Sequence, residues 1–332
     1  MFRGSKLQKA ALLLALIFVA SAVLAGVIFA VQYGSTGFSS INFNSENTKN
    51  SIKVDQEKVE ALQGIDSISI EDVSEDIKLI PVDTNDVKAH FYGSYSSANP
   101  DAKPELIVER SGSTLKIKAQ VKPNKMVINF RSNLALDVYI PKEFSGNLQV
   151  KSISGEITAD ELILESFVCN TTSGNLTAER IDAKKARLDT TSGEMKINGN
   201  YDNFSFNSTS GNLNSDNFTS KTSIIDTTSG EAELSGNPGD VTAKAVSGNL
   251  TFEYTAFSNN IEAGTTSGEV TIKLPENASF LLDFDTTSGD VECAFPVTVT
   301  DGKRRNDLKG TVGSGEGSVY VKTVSGSLTI QK

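Results

Sequence analysis

The chain has 332 residues, 31 Lys and Arg against 41 Asp and Glu, and a formal charge of −10. Two Cys exclude a disulfide scaffold or a Cys-rich zinc site, and one His excludes motifs that need two, such as H-E-x-x-H. The acidic balance argues against nucleic acid as a partner, because sequence-independent binding needs Lys and Arg to neutralise phosphates.

Residues 1–9 carry Arg3, Lys6 and Lys9 and read as a cytoplasmic tail. Residues 10–31 are free of charge and broken only by Ser21 and Gly26. About 20 apolar residues span a bilayer as a helix, so 10–32 is predicted to be a transmembrane signal-anchor. The positive-inside rule keeps the N-terminus cytoplasmic and places the remainder outside the cell. A cleaved signal peptide is the competing reading, with Ala20-Ser21-Ala22 as the cleavage site. Cleavage there would leave Leu24, Val27, Ile28, Phe29 and Val31 at a sticky new terminus, so the uncleaved anchor is preferred. The exported part then carries a net charge of −13. The chain stops inside an alternating pattern without a sorting tail, so this one anchor is expected to be the whole attachment.

Residues 33–63 read as a flexible tether rich in Ser, Asn, Gly and Thr. Within it, 52–63 has charged residues with scattered Val and Leu, the composition of a short helix. Residues 64–145 alternate, as in Ile68/Ile70, Val87/Ala89/Phe91 and Leu134/Leu136/Val138/Ile140. They are predicted to form a β-meander that caps the C-terminal half of the chain.

Residues 146–332 repeat. A pentapeptide, Ser/Thr/Val/Ile-Ser-Gly-acidic or small polar-apolar, recurs around Gly155, Gly174, Gly193, Gly211, Gly230, Gly248, Gly268, Gly289 and Gly326. The first intervals run 19, 19, 18, 19, 18, 20 and 21 residues. A fixed period near 20 marks a solenoid. The last interval, 37, is two periods and is expected to hold an irregular rung with Gly315.

Alignment on the glycine exposes a core. Apolar residues recur seven and five positions before it and two and four after, as in Phe167, Cys169, Leu176 and Ala178. Period 2 on both sides means two strands with one buried face each. The glycine marks the corner, through a positive φ or through close approach of the next coil. Three residues before it an inward Ser or Thr recurs, Ala245 being the exception, and is expected to hydrogen-bond along the stack.

The residue after the glycine alternates: Glu156, Asn175, Glu194, Asn212, Glu231, Asn249, Glu269, then Asp290. Coils about 4.8 Å apart would place an all-Glu row at repulsive spacing. Interleaved Asn relieves it, which requires one coil per period of about 19 residues rather than two. These residues form a candidate surface ladder.

The chemistry is sparse. Asp189, Asp226 and Asp285 open D-T-T-S-G segments, but an aspartic-protease pair needs two carboxylates in one cleft. They read as solvated corner residues. A carbohydrate-active lyase or hydrolase on a β-helix scaffold is the alternative, but it lacks aromatic platforms: there is no Trp, and Phe falls mainly in the inward phase. Calcium bridging of the ladder would have to be improvised, since no G-G-x-G-x-D repeat is present. No cofactor, metal site or catalytic residue is expected. Cys169 and Cys293 fall on inward positions about six rungs apart, too far for a disulfide. His90 reads as a strand residue of the cap.

The segment 68–81, the strand 134–141, the S-G repeats and the closing Gly315-Glu316-Gly317…Val324-Ser325-Gly326 together resemble the bacterial "putative adhesin" β-strand-repeat family, a domain of unknown function. The likeness extends to its LiaG-like, membrane-anchored members from envelope-stress operons. It spans about residues 64–332 and implies an extracytoplasmic β-solenoid with no catalytic residues to transfer.

The expectation is therefore an all-β, single-stranded solenoid of ~19-residue coils with a β-meander cap, behind one transmembrane helix. Its role would be binding, adhesion or structure at the cell envelope. The partners would be cell-wall polymer, polysaccharide or another envelope protein.

Overall fold

The computed structural model describes residues 51–97, 99, 101–122, 130–301 and 307–332. The predicted membrane span lies outside them. Among the described residues no helix is long and apolar enough to cross a membrane, and every regular element is a strand.

In chain order the first strands are β1 (Ser51–Ala61), β2 (Ser67–Glu71), β3 (Asp76–Val82), β4 (Asp86–Ser97), β5 (Lys103–Ser111), β6 (Thr114–Lys122) and β7 (Phe130–Pro141). The repeats contribute β8 (Asn147–Ser152), β9 (Ile157–Ala159), β10 (Leu162–Thr171), β11 (Leu176–Ala178), β12 (Ile181–Thr190), β13 (Met195–Ile197), β14 (Gly199–Ser208) and β15 (Leu213–Thr227). They continue as β16 (Ala232–Asn237), β17 (Asp240–Ala245), β18 (Leu250–Tyr254), β19 (Asn260–Thr265) and β20 (Val270–Lys273). The chain closes with β21 (Phe280–Asp285), β22 (Val291–Cys293), β23 (Thr298–Asp301), β24 (Asp307–Val312), β25 (Gly317–Thr323) and β26 (Leu328–Gln331).

Successive repeats pair in parallel, residue on equivalent residue. One row runs Leu148, Phe167, Ala186, Phe204, Ser223, Val241 and Ile261. Beyond the corner a second row runs Ile157, Leu176, Met195, Leu213, Ala232, Leu250 and Val270. Each coil therefore advances one rung per period, and Glu156 neighbours Asn175 rather than Glu194. The four apolar columns are buried along the stack, Val291 and Cys293 on the terminal β22 being half-buried exceptions. Ser223, the polar member of its column, shares the carbonyl of Pro238 with Ser220, at 2.8 and 2.7 Å.

Both ends depart from sequence order. The last repeat, β25 and β26, inserts between its predecessors: β19 and β20 pair with it on one side, β21 and β22 on the other. Among its described residues the 37-residue interval holds no irregular rung. It holds β23 and β24, which add antiparallel to the outer side of β21, and Gly315 sits in the following turn with φ 76°.

At the other end the cap is not a meander. β2 and β3 already form a coil, stacked in parallel on β8 and β9. On their far side β6 and β7 pair in parallel again, and only β5, β4 and β1 add antiparallel. Residues 52–63, expected as a short helix in a tether, fall largely in strand β1. Its residue composition suits either state, and the eleven-residue register against β4 decides it. The Gln56 side chain bridges toward β5, donating to the Pro104 carbonyl at 2.9 Å and accepting from the Leu106 N–H at 2.9 Å. This blunts an edge that would otherwise invite another strand. His90 lies on β4, with Nε2 2.9 Å from Asp55 Oδ1 and its ring stacked on Tyr92.

Both cysteines are free thiols. Cys169 is buried, and burial pushes its thiol up to about 12. Cys293 is half-buried at the end of the stack, because among the described residues nothing pairs with the outer side of β22.

Candidate functional site

The corner at the repeat glycines is built from the inside out. The inward hydroxyl accepts the N–H of the glycine three residues on. The pairs are Ser152–Gly155 at 3.0 Å, Thr190–Gly193 at 2.8 Å, Thr227–Gly230 at 2.9 Å and Thr265–Gly268 at 2.8 Å. Bonds along the stack occur at Thr171–Thr190 and Thr323–Thr286. The row therefore acts chiefly within each coil, satisfying a buried donor.

The nine corner glycines have no positive φ. Close approach is the reason for them. A Cβ on Gly193, Gly230, Gly248 or Gly268 would collide with the backbone carbonyl of the corner glycine one rung back. The same holds for Gly155 against Glu75, Gly174 against Gly155, Gly211 against Gly193, Gly326 against Gly268 and Gly289 against Gly326.

Outside this frame stand three exposed columns. The ladder after the glycine runs, in stack order, Asp76, Glu156, Asn175, Glu194, Asn212, Glu231, Asn249, Glu269, Ser327 and Asp290. Ser327 separates Glu269 from Asp290, so the alternation survives where the sequence order breaks it. The amides act mainly through oxygen. Asn175, Asn212 and Asn249 Oδ1 each accept the backbone N–H of the next Glu, at 2.9, 2.9 and 3.0 Å. Asp76 and Ser327 do the same for Glu156 and Asp290. An amide donor meets a ladder carboxylate at Asn249–Glu231, 3.0 Å.

The second column, immediately before the glycine, is serine in every coil: Ser74, Ser154, Ser173, Ser192, Ser210, Ser229, Ser247, Ser267, Ser325 and Ser288. All are exposed. Their backbone N–H groups continue the coil-to-coil ladder, as in Ser229 to the Thr209 carbonyl at 2.8 Å. Within the described residues the hydroxyls from Ser173 to Ser267 make no hydrogen bond to the protein. Sequence reasoning counted these serines as part of the corner and missed them as a surface. Their recurrence at a position whose hydroxyl the fold does not use was the available signal. The third column is β-branched throughout, from Val73 and Ile153 through Thr172, Thr191, Thr209 and Thr228 to Val246, Thr266, Val324 and Thr287.

Beside this ridge runs a trough of about 510 Å³. Asn170, Asp189, Asn207, Asp226 and Lys244 line one wall, and Thr191, Thr209 and Thr228 the other. Asp189 is held by both Arg187 Nε at 2.7 Å and Nη2 at 3.0 Å, and accepts Asn207 Nδ2 at 2.8 Å. Its carboxylate in turn raises the Arg187 guanidinium. Asp285 pairs with Lys322 at 3.2 Å. The D-T-T-S-G aspartates are thus spread along the stack, not convergent. Among the described residues no group of three or more His, Cys, Asp or Glu is placed to hold a metal.

The bend that closes each coil is different. There Glu165 meets Lys184 at 2.6 Å and Lys221 meets Asp202 at 2.7 Å, so the charges alternate along the stack and pair with each other.

The Toastrack DUF4097 family profile matches residues 65–331. The chain belongs to this family. No curated protein matches it. Among solved structures, a "putative adhesin" from Parabacteroides merdae shares the Toastrack architecture at 13% identity and a TM-score of 0.52, covering 84% of this chain and 96% of that one. A "putative adhesin" from Bacteroides fragilis matches at 14% identity and a TM-score of 0.43, over 85% and 97% of the two chains. A "putative lipid binding protein" from Parabacteroides distasonis matches at 18% identity and a TM-score of 0.37, over 84% and 97%. At 13% identity the likeness to the Parabacteroides merdae structure concerns the fold alone.

Proposed function

We propose that this Toastrack protein is anchored by residues 10–32 and displays its solenoid outside the membrane, where it binds an extended, repetitive envelope polymer without catalysis. The observation that carries this reading is the ridge. Serine hydroxyls recur at every rung, about 4.8 Å apart, beside alternating carboxylates and amides, and from Ser173 to Ser267 the described fold does not use them. A rigid array of this kind matches a partner that repeats along its length. The acidic ladder and the net charge of −13 on the predicted exported part favour a neutral or amine-bearing polysaccharide over an anionic one. A link to envelope stress would follow if an adjacent sensor reads occupancy through the anchor.

The carbohydrate-active enzyme fits less well. Such enzymes work with a pair of carboxyl groups flanking the bond, one of them free to hold a proton; of the two aspartates lining the trough, Asp189 is clamped by Arg187, which leaves Asp226. The test is co-sedimentation of the full-length protein with isolated envelope polysaccharides, alongside a variant with Ser192, Ser210, Ser229 and Ser247 all replaced by Ala. Loss of retention in the variant supports the reading. Equal retention, or release of new reducing ends by the parent protein, overturns it.

A further inference from the structure

One corner breaks the rule that the inward side is uncharged. In the first coil, Asp72-Val73-Ser74-Glu75 stands where the others, Ala245 apart, have a hydroxyl residue, followed by a β-branched residue, Ser and Gly. Asp72 performs the hydroxyl's task, its Oδ2 accepting the Glu75 N–H at 2.7 Å. A carboxylate also brings a second oxygen and a charge. Asp72 is 7% exposed and Glu75 6%. Asp72 Oδ1 is cut off from solvent and has no hydrogen-bond partner among the described residues. Glu75 Oε2 takes the Ser74 N–H and hydroxyl at 3.2 and 3.3 Å, and Oε1 lies 3.5 Å from Ser132 Oγ on β7. Among the described residues the charge acting on Asp72 is that of Glu75, a like charge.

Two adjacent buried carboxyl groups require a counter-charge or a shared proton. The oxygens offered here, two carboxylates with the Ser74 and Ser132 hydroxyls, are a hard donor set of the kind calcium takes. We propose that this corner binds a hard divalent cation such as Ca²⁺, with Asp72 Oδ1 and the Glu75 carboxylate as its charged ligands. The site lies where the cap strands β6 and β7 meet the first coil, so the cation would pin cap to stack.

The test uses the full-length protein stripped with EGTA, then titrated with CaCl₂ while binding heat and thermal unfolding are followed. At about a hundred times Kd, the unfolding midpoint should rise by about 5 °C. Asp72→Asn should remove both the heat and the rise. The double variant D72T/E75G installs the corner the other coils use; it should fold and show neither response. The proposal is overturned if millimolar Ca²⁺ leaves the parent protein unchanged, or if D72T/E75G keeps the response. It is also overturned if acidification stabilises the parent while Ca²⁺ does not, which would make the pair a proton site.

Discussion

The corner at the repeat glycines and the bend at Glu165 both recur from rung to rung, yet they handle charge in opposite ways. At the bend, Glu165, Lys184, Asp202 and Lys221 alternate in sign and pair across rungs. At the glycine corner, acids alternate with amides or a hydroxyl, the backbone consumes the amide oxygens, Asp76, Glu194, Glu231 and Glu269 each accept a bond from a neighbouring rung, and the serine hydroxyls from Ser173 to Ser267 make no bond within the described residues. Both patterns avoid stacking like charges. The first spends its polar groups on the protein, and the second leaves its serine hydroxyls facing outward. That difference separates a bend built for the fold from a ridge available to a partner.

The contrast can be broken most sharply at the glycines. Gly230→Ala places a Cβ against the Gly211 carbonyl, backbone on backbone, with no flexible neighbour to yield. A loss of about 3 kcal/mol is expected in denaturant unfolding. Gly264→Ala is the control, because its Cβ would meet only the Lys322 carbonyl at 3.4 Å. If the two variants unfold alike, close approach is not what selects the corner glycine.

A smaller loss is expected one layer in. Thr227→Val keeps the shape and removes the oxygen that accepts the Gly230 N–H. The buried donor is left unsatisfied, at a cost of about 1–3 kcal/mol. The same substitution at Thr209, exposed on the neighbouring column, should fall within about 0.5 kcal/mol. Equal effects would mean that the inward row does not cap the corner.

Asn249→Asp isolates charge from hydrogen bonding. The new carboxylate still accepts the Glu269 N–H but places three acids in successive rungs, with Glu231 and Glu269 as neighbours. The expected destabilisation is about 1 kcal/mol per neighbour at low ionic strength, fading as salt is added. At the bend, Lys184→Met should show the reverse signature, a stability difference from the parent that salt also shrinks but that comes from losing attraction to Glu165 and Asp202. A loss in Asn249→Asp that ignores salt would point to the amide's donor, which meets Glu231 at 3.0 Å.

The core columns were legible in the sequence because a buried strand face must repeat every second residue and the coil repeats every period. The corner glycines were legible as a position but not as a mechanism, since positive φ and close approach leave the same residue behind. Stack order at the C-terminal end was hidden because spacing records chain order only. Its trace was the pair Glu269 and Asp290, two acids in a row within an alternating ladder, which the insertion of Ser327 resolves. The first coil was hidden for a related reason. Asp72 and Glu75 replace the hydroxyl and the glycine, so the motif is absent while the register on β8 and β9 is intact. β1 was misjudged because an edge strand with Val54 as its buried side chain carries almost no periodic signal, and pairing with β4 outweighs local preference.

The smallest effect on stability is also the one that bears most on function. Ser229 is exposed, its hydroxyl makes no bond within the described residues, and its N–H, bonded to Thr209, is untouched by a side-chain change. Ser229→Ala should therefore leave unfolding within about 0.5 kcal/mol of the parent. A single hydroxyl removed from a long array should weaken polymer retention only slightly, because the neighbouring rungs still hold. Replacing Ser192, Ser210, Ser229 and Ser247 in turn should lower retention step by step while stability stays flat. The matching series at the bend, removing Lys184 and then Lys221, should do the opposite, changing salt-dependent stability and leaving retention alone. A retention curve that falls with the bend lysines rather than with the serines would move the binding surface from the ridge to the bend.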